Sequence, residues 1–340
     1  MTKLWIVITI CFSFIISLSA QPVLPADVPL GLDAMRAVIM VNGDGTQTII
    51  YDWEYDMYPP QAVMSIWLIP VPSEPTSIEL LPLGALDTLE NSTRKRFTEP
   101  DNPCPYTGDR GIPGYDYRPV NITEAQYVHG ERILGRIDDW LARGFWVDTE
   151  KLPDIQTYID ADMGFVALTV PLYGNEEGVV SPVKLTYPSE LPTWYTLYST
   201  AYAHLWVFGD TQYVSQNALH PALDYTTFHT TSETATNFYR WNYVQGGVTS
   251  TAYDKALSDL IQAGGDFWWM EYATPTAMMT HSNNDPLLTQ WISQFAYMTS
   301  LRGRVGVDVP VFIPASDMPD VPRDVNLAEY VDPRVFWGCG

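Results

Sequence analysis

Ala37-Val38-Ile39-Met40-Val41, then Asn42-Gly43-Asp44-Gly45, then Thr46 to Tyr55 (TQTIIYDWEY), is the stretch that decides the fold. Two runs rich in β-branched and aromatic residues flank a segment containing both Asn-Gly and Asp-Gly. Glycine there supplies the positive φ that a tight hairpin needs, so the stretch predicts two paired strands. A calcium loop is the competing reading of Asn42 to Gly45. It requires a carboxylate two residues before Asn42 and a bidentate Glu at its twelfth position. Met40 and Tyr51 stand there instead, and the hairpin is preferred.

Outward from this hairpin, Ala62 to Pro70 (AVMSIWLIP) is expected to continue the sheet, and Ser77 to Leu81 to add a short strand. Leu83, Leu86 and Leu89 recur at three-residue spacing and predict a short helix ending before Pro100. Residues 104–119, rich in Gly, Pro, Asp and Tyr, read as a long loop. Ile133, Leu134, Ile137, Trp140 and Leu141 form one apolar stripe of a helix that stops at Arg143-Gly144. Phe165 to Pro171, Val183 to Tyr187, Leu197 to Phe208, Gln212 to Ser215, Phe267 to Tyr272 and Val309 to Ile313 are strand-like. Ala252 to Ala263 predicts a further helix, capped by Thr251 with Asp254 and ended by Gly264-Gly265. Another opens at Asp285-Pro286 and buries Leu288, Trp291, Ile292 and Phe295. The fold class is therefore α+β: strand-rich, mostly antiparallel, with three or four amphipathic helices. Residues 21–340 are expected to form a single domain with a proline-rich C-terminal tail. A division near residue 120 is the alternative.

Residues 1–20 read as a signal peptide. Lys3 gives a basic start, Leu4 to Leu18 are almost wholly apolar, and Ser19-Ala20 close the run with small residues before Gln21-Pro22. A membrane-crossing helix needs about 20 apolar residues, so this run is short for a permanent anchor. Leu18 is larger than the cleavage position prefers, and an uncleaved anchor is the alternative. A lipid-modified Cys11 is rejected, because the apolar run continues beyond it through Ile16. The protein is thus expected to be extracytoplasmic: periplasmic, cell-surface or secreted, with no membrane span after cleavage.

Without the signal the chain carries 17 basic and 40 acidic residues, a charge of −23. Such a chain repels nucleic acid and anionic lipid. Surface carboxylates that keep an exported protein soluble are the simpler reading, and calcium binding or salt adaptation the sharper one. At 46% hydrophobic and 17% charged, the sequence has enough apolar residues for a large core. Cleavage leaves two cysteines, Cys104 and Cys339. An even pair in an oxidising compartment favours a disulfide, here one that pins the C-terminal tail. Two free thiols or an intermolecular link are the alternatives. No third Cys and no neighbouring His cluster accompanies them, so they do not predict a zinc site.

Chemistry-bearing motifs are few. The sequence lacks G-x-S-x-G, H-E-x-x-H, a P-loop, G-x-G-x-x-G after a strand, and C-x-x-C. The histidines His129, His204, His220, His229 and His281 are scattered, with His220 and His229 the nearest approach to a pair. No metal and no cofactor is predicted. Asn91-Ser92-Thr93 and Asn121-Ile122-Thr123 match glycosylation acceptors. Trp269 and Glu271 are the weak ligand-binding candidates. On one face of a strand they would offer a sugar-stacking ring beside a carboxylate, although alternating aromatic residues on strands are usually core.

Several segments occur in an order that resembles a known family. Trp67 to Ser73 (WLIPVPS), Trp140 to Phe145 (WLARGF), Tyr158 to Thr169 (YIDADMGFVALT), Pro182 to Pro188 (PVKLTYP) and Phe267 to Tyr272 (FWWMEY) carry the likeness. Leu301-Arg302 and Asp308 to Phe312 complete it. Together they are similar to the bacterial exported family called Domain of Unknown Function 2330, across roughly residues 35–315. Cysteines that such relatives often carry just before the first strand are absent here. The resemblance implies export and a continuous fold, and it brings no known activity. The expected function is a non-catalytic cell-surface or periplasmic binding or structural protein, its partner an envelope protein or a glycan. The alternative is a secreted glycan-acting hydrolase using a carboxylate pair, as such enzymes are defined by carboxyl separation in space.

Overall fold

Hydrophobic strands covered on both sides organise the chain. The computed structural model describes residues 30–57, 62–93, 96–98, 118–173, 177–189, 191–198, 200–216, 228–230, 267–279, 285–305, 311–317 and 328–331. The signal segment 1–20, Cys104, Cys339, the helix expected over 252–263, His220, His281 and most of the 104–119 loop lie outside the described residues.

In chain order the first elements are β1 (Leu30–Val41), β2 (Thr46–Met57), β3 (Ala62–Val71), β4 (Ser77–Leu80), α1 (Asp87–Thr93), β5 (Arg96–Thr98), β6 (Arg118–Val120) and β7 (Glu124–Val128). Then come α2 (Gly130–Ala142), β8 (Trp146–Val147), α3 (Leu152–Asp160), β9 (Gly164–Tyr173), β10 (Glu177–Pro188), β11 (Thr200–Gly209), β12 (Tyr213–Ser215) and β13 (Phe228–Thr230). The last are β14 (Phe267–Pro275), a helix Pro286–Gln294 denoted α4, β15 (Tyr297–Val305), β16 (Phe312–Pro314) and β17 (Ala328–Val331).

The fold is α+β and strand-rich. Its main sheet runs β14-β15-β11-β1-β2-β10-β4, with β6 beside β10, and a second sheet runs β7-β9-β3-β8. Most pairs are antiparallel, but β1 and β11 run parallel at the centre of the main sheet. The β1–β2 hairpin forms as the sequence predicts, Gly45 taking φ +79° in its turn and Asn42 N–H donating to the Thr46 carbonyl. β3 differs from expectation: it joins the second sheet, paired with β9 from Ala62↔Tyr173 to Val71↔Gly164.

Two faces of the main sheet are buried, which is why Ala37 to Met40 read as continuous apolar sequence rather than alternating. Ala37, Ile39, Tyr51, Trp53, Leu205 and Val207 face the second sheet and meet Trp67, Val166 and Leu168. Val38, Met40, Ile50, Trp206 and Phe208 face the other way, where Leu86 and Leu89 beside and on α1, and Leu288 and Trp291 of α4, cover them. The second sheet's outer face is closed by Ile133, Ile137 and Trp140 of α2 and Ile155 of α3. Leu134 departs from the predicted stripe and is exposed. The order of layers is thus α2 and α3, four-stranded sheet, main sheet, α1 and α4.

Helix α4 starts where the sequence places it. The Asp285 carboxylate accepts from the Leu288 amide at 3.0 Å, and Pro286 takes the first turn, where it forfeits no hydrogen bond. Asp285→Ala is expected to lower stability by about 1 kcal/mol in urea titration. An unchanged midpoint would mean that packing of Leu288 and Trp291 alone fixes this end.

Candidate functional site

Strand alternation carries a row of ionisable side chains across the main sheet on its α1 side. Arg36 of β1 stands in register with Asp52 of β2 and with His204 of β11, and His204 with Arg302 of β15. One chain position per strand thus aligns Asp52, Arg36, His204 and Arg302 across four neighbouring strands. Glu271 of β14 joins them because the register shifts between Met270 and Tyr272. Such a bulge inserts one residue, so Met270 packs toward the second sheet while Tyr272 packs toward α1 and α4. Above the row lies α1, its Asp87 and Glu90 one turn apart.

The contacts form one network. Arg36 Nη2 lies 2.6 Å from Asp52 Oδ2, and Arg36 Nη1 lies 3.2 Å from Asp87 Oδ1 and 3.7 Å from Glu90 Oε2. Arg302 Nη2 reaches Glu90 Oε1 at 3.4 Å, and Arg302 Nε reaches Glu271 Oε1 at 3.2 Å. His204 sits between them, Nδ1 at 3.4 Å from Glu90 Oε1 and Nε2 at 3.6 Å from Glu271 Oε2. Asp52 and Glu271 are 1% and 2% exposed, whereas Asp87 opens to solvent.

Burial and neighbouring charge together set the protonation of each group. Burial pushes the Asp52 carboxyl up to about 6, against the pull of Arg36. Its Oδ1 and the Arg36 Nε have no hydrogen-bond partner among the described residues. Burial also pushes Glu90 up, but the His204 hydrogen bond and the charges of Arg302 and Arg36 outweigh it and hold it at about 2. Burial and Arg302 push His204 below its ordinary value, although Glu90 and Glu271 pull the other way. The ring is therefore neutral at pH 7. Whichever nitrogen keeps the proton, the other has a donor in reach: Arg302 Nη2 at 3.3 Å from Nδ1, or the Ser300 hydroxyl at 2.8 Å from Nε2.

Hydroxyl, imidazole and carboxylate in a line are the parts of an activated nucleophile. Here Ser300 is 0% and His204 4% exposed, and the Trp206 ring lies against the imidazole at 3.9 Å. Trp206 is itself fixed by its indole N–H, which donates to Thr93 at the end of α1. A substrate carbonyl has no path to Ser300 in this packing. The arrangement instead joins α1 to the sheet through charge.

Of the two sequence candidates, Glu271 belongs to this network. Trp269 lies on β14 opposite Arg302, two residues before it. His204 was visible in the sequence only as one of five scattered histidines. No motif marks Arg36, Asp52, Glu90 or Arg302 as a site residue, although Arg36 in MRAVIMV, Asp52 in IIYDWEY and His204 in AHLWVF each interrupt an apolar strand. His129 caps α2, accepting from the Glu131 amide at 3.4 Å. Among the described residues, no group of three or more His, Cys, Asp or Glu is placed to hold a metal, and no helix is long and apolar enough to cross a membrane.

No family model matches this chain, and no curated protein matches it. Among solved structures, baculovirus P35 is similar with a TM-score of 0.34 and 8% identity, over 90% of this chain and 98% of that one. A mutated baculovirus P35 after caspase cleavage gives a TM-score of 0.25 at 10% identity, over 88% and 100% respectively. Likenesses this distant decide neither fold nor function.

Proposed function

We propose that this chain is an exported, non-catalytic protein that binds or supports another component of the cell surface or periplasm. It is proposed to be related to the exported family that its ordered segments resemble. The observation that supports the non-catalytic reading is the direction in which the fold turns its chemistry. Trp53, Trp67, Trp194, Trp206 and Trp268 are at most 3% exposed, and Glu271 is 2% exposed. Glycan hydrolysis places carboxyls and stacking rings around a substrate-sized cleft. These rings fill the space between layers, and this carboxylate neutralises Arg302 and lies against His204. The net charge of −22 favours a partner that presents uncharged or basic groups over nucleic acid.

Expression of the full chain in a bacterium tests export. The protein outside the cytoplasm is expected to begin at Gln21 on N-terminal sequencing. Retention of Met1 in the membrane fraction would replace the signal peptide by an anchor. The exported protein is then incubated with cell-wall glycans and soluble polysaccharides, with reducing ends measured. No release is expected. Release by the wild type would overturn the non-catalytic reading, and its loss in Glu271→Gln would identify the buried carboxylate as part of a hydrolase.

A further inference from the structure

We propose that Arg36 is the latch of a proton-controlled contact: a proton taken up by Asp52 hands the Arg36 guanidinium from the sheet to helix α1. The geometry carries the idea. One guanidinium bridges a sheet carboxylate, Asp52 at 2.6 Å, and two helix carboxylates, Asp87 at 3.2 Å and Glu90 at 3.7 Å. Neither side satisfies the other fully, since Asp52 Oδ1 and Arg36 Nε are both buried without hydrogen-bond partners among the described residues. The helix has seven residues, too few to persist without its sheet contacts. When Asp52 is ionised, Arg36 is shared between sheet and helix. When Asp52 gains a proton from solvent and becomes a neutral acid, the positive charge is left to Asp87 and Glu90. Acid therefore tightens α1 on the sheet, and alkali loosens it.

The charged groups that act on Arg36 and Asp52 are Glu54 of β2 and Asp87 and Glu90 of α1, and Glu90 in turn meets His204 of β11 and Arg302 of β15, which both meet Glu271 of β14. Their signs differ. Asp52, raised from 3.8 to about 6 in the fold, contributes stability that is gained as pH falls through 6 and is complete below about 4. His204, lowered from 6.5, contributes stability that is lost as pH falls below 6.5. Glu90, lowered from 4.5 to about 2, contributes stability present above 4.5 and lost only in stronger acid. Asp52 and His204 thus act with opposite sign between pH 4 and 6.5, so global stability does not isolate Asp52, whereas the local hold on α1 follows it.

Hydrogen exchange of the full chain, corrected for intrinsic rates, separates local from global effects. Amides of residues 87–93 are expected to be about tenfold better protected at pH 5 than at pH 8, within the roughly hundredfold that the Asp52 shift allows. In Asp52→Asn, protection should be high at both pH values, because the amide mimics the protonated acid. His204→Gln should keep the pH step. Equal protection at both pH values in the wild type, or a step that survives in Asp52→Asn, overturns the proposal. If Asp52→Asn does not fold, a carbon-13 carboxyl titration of the wild type decides. The Asp52 midpoint must coincide with the midpoint of α1 protection, and separate midpoints sink the latch.

Discussion

Trp67→Ala is expected to remove about 3–5 kcal/mol of stability. Trp67 comes from β3 in the second sheet and is 1% exposed. Its ring stands edge-on to Trp53 at 5.7 Å and to Tyr55 at 6.2 Å, both from β2 of the main sheet. Trp53 in turn stacks on Tyr51 at 5.7 Å. Truncation removes a large apolar area and leaves a hole between two layers that backbone hydrogen bonds hold in place, so collapse is limited. The indole N–H has no hydrogen-bond partner among the described residues. Trp67→Phe removes that orphan donor and keeps most of the ring, so a smaller loss of about 1–2 kcal/mol is expected. Urea unfolding followed by circular dichroism measures both. A Trp67→Ala loss under about 1 kcal/mol would mean that the sheets do not pack face to face through this ring.

The hairpin and α4 were legible in the sequence because their causes are local. Gly45 has to take positive φ, and Asp285-Pro286 caps and starts a helix within a single turn. The assignment of β3 to the second sheet was not legible, because an apolar strand states that it is buried without stating by which partner. The central parallel pairing, Met35↔Ala203 through Met40↔Phe208, joins segments far apart in sequence, and nothing near either one encodes the other. Site residues were hidden for the same reason. Arg36, Asp52, Glu90, His204, Glu271 and Arg302 come from six elements. The signal that was present was weaker: Arg36, Asp52 and His204 each have a buried apolar residue two positions away, Val38, Ile50 and Trp206 respectively. Glu271 was noticed for its spacing from Trp269, but the bulge after Met270 decides what it meets, and a bulge leaves no mark in this sequence that alternation alone reveals. The resemblance to an exported family implies a compartment and points to no site.

Arg36→Met is expected to cost about 3–5 kcal/mol at pH 8, because it leaves the Asp52 carboxylate buried without its counter-charge. A methionine preserves much of the apolar stem, so the loss is mainly electrostatic rather than a packing defect. The remaining cations do not replace it, since the only ion pair of Asp52 among the described residues is with Arg36. At pH 5 the loss should be smaller, because Asp52, already raised to about 6 beside Arg36, is then a neutral acid in the variant. The sign follows from linkage: removing Arg36 raises Asp52 further, so the variant gains stability relative to the wild type as pH falls. Pairing the change with Asp52→Leu is expected to recover most of the loss, as an apolar pair of similar volume often equals or exceeds a buried ion pair. Urea titrations of wild type, both single variants and the double variant at pH 5 and pH 8 give the coupling at each pH. A coupling of about 2 kcal/mol or more at pH 8 that shrinks at pH 5 supports Asp52 as a carboxylate that pairs with Arg36 at pH 8 and is neutralised by a proton at pH 5. Equal couplings at the two pH values would mean that Asp52 does not change its charge in this range. The contact would then be a fixed ion pair, insensitive to pH between 5 and 8.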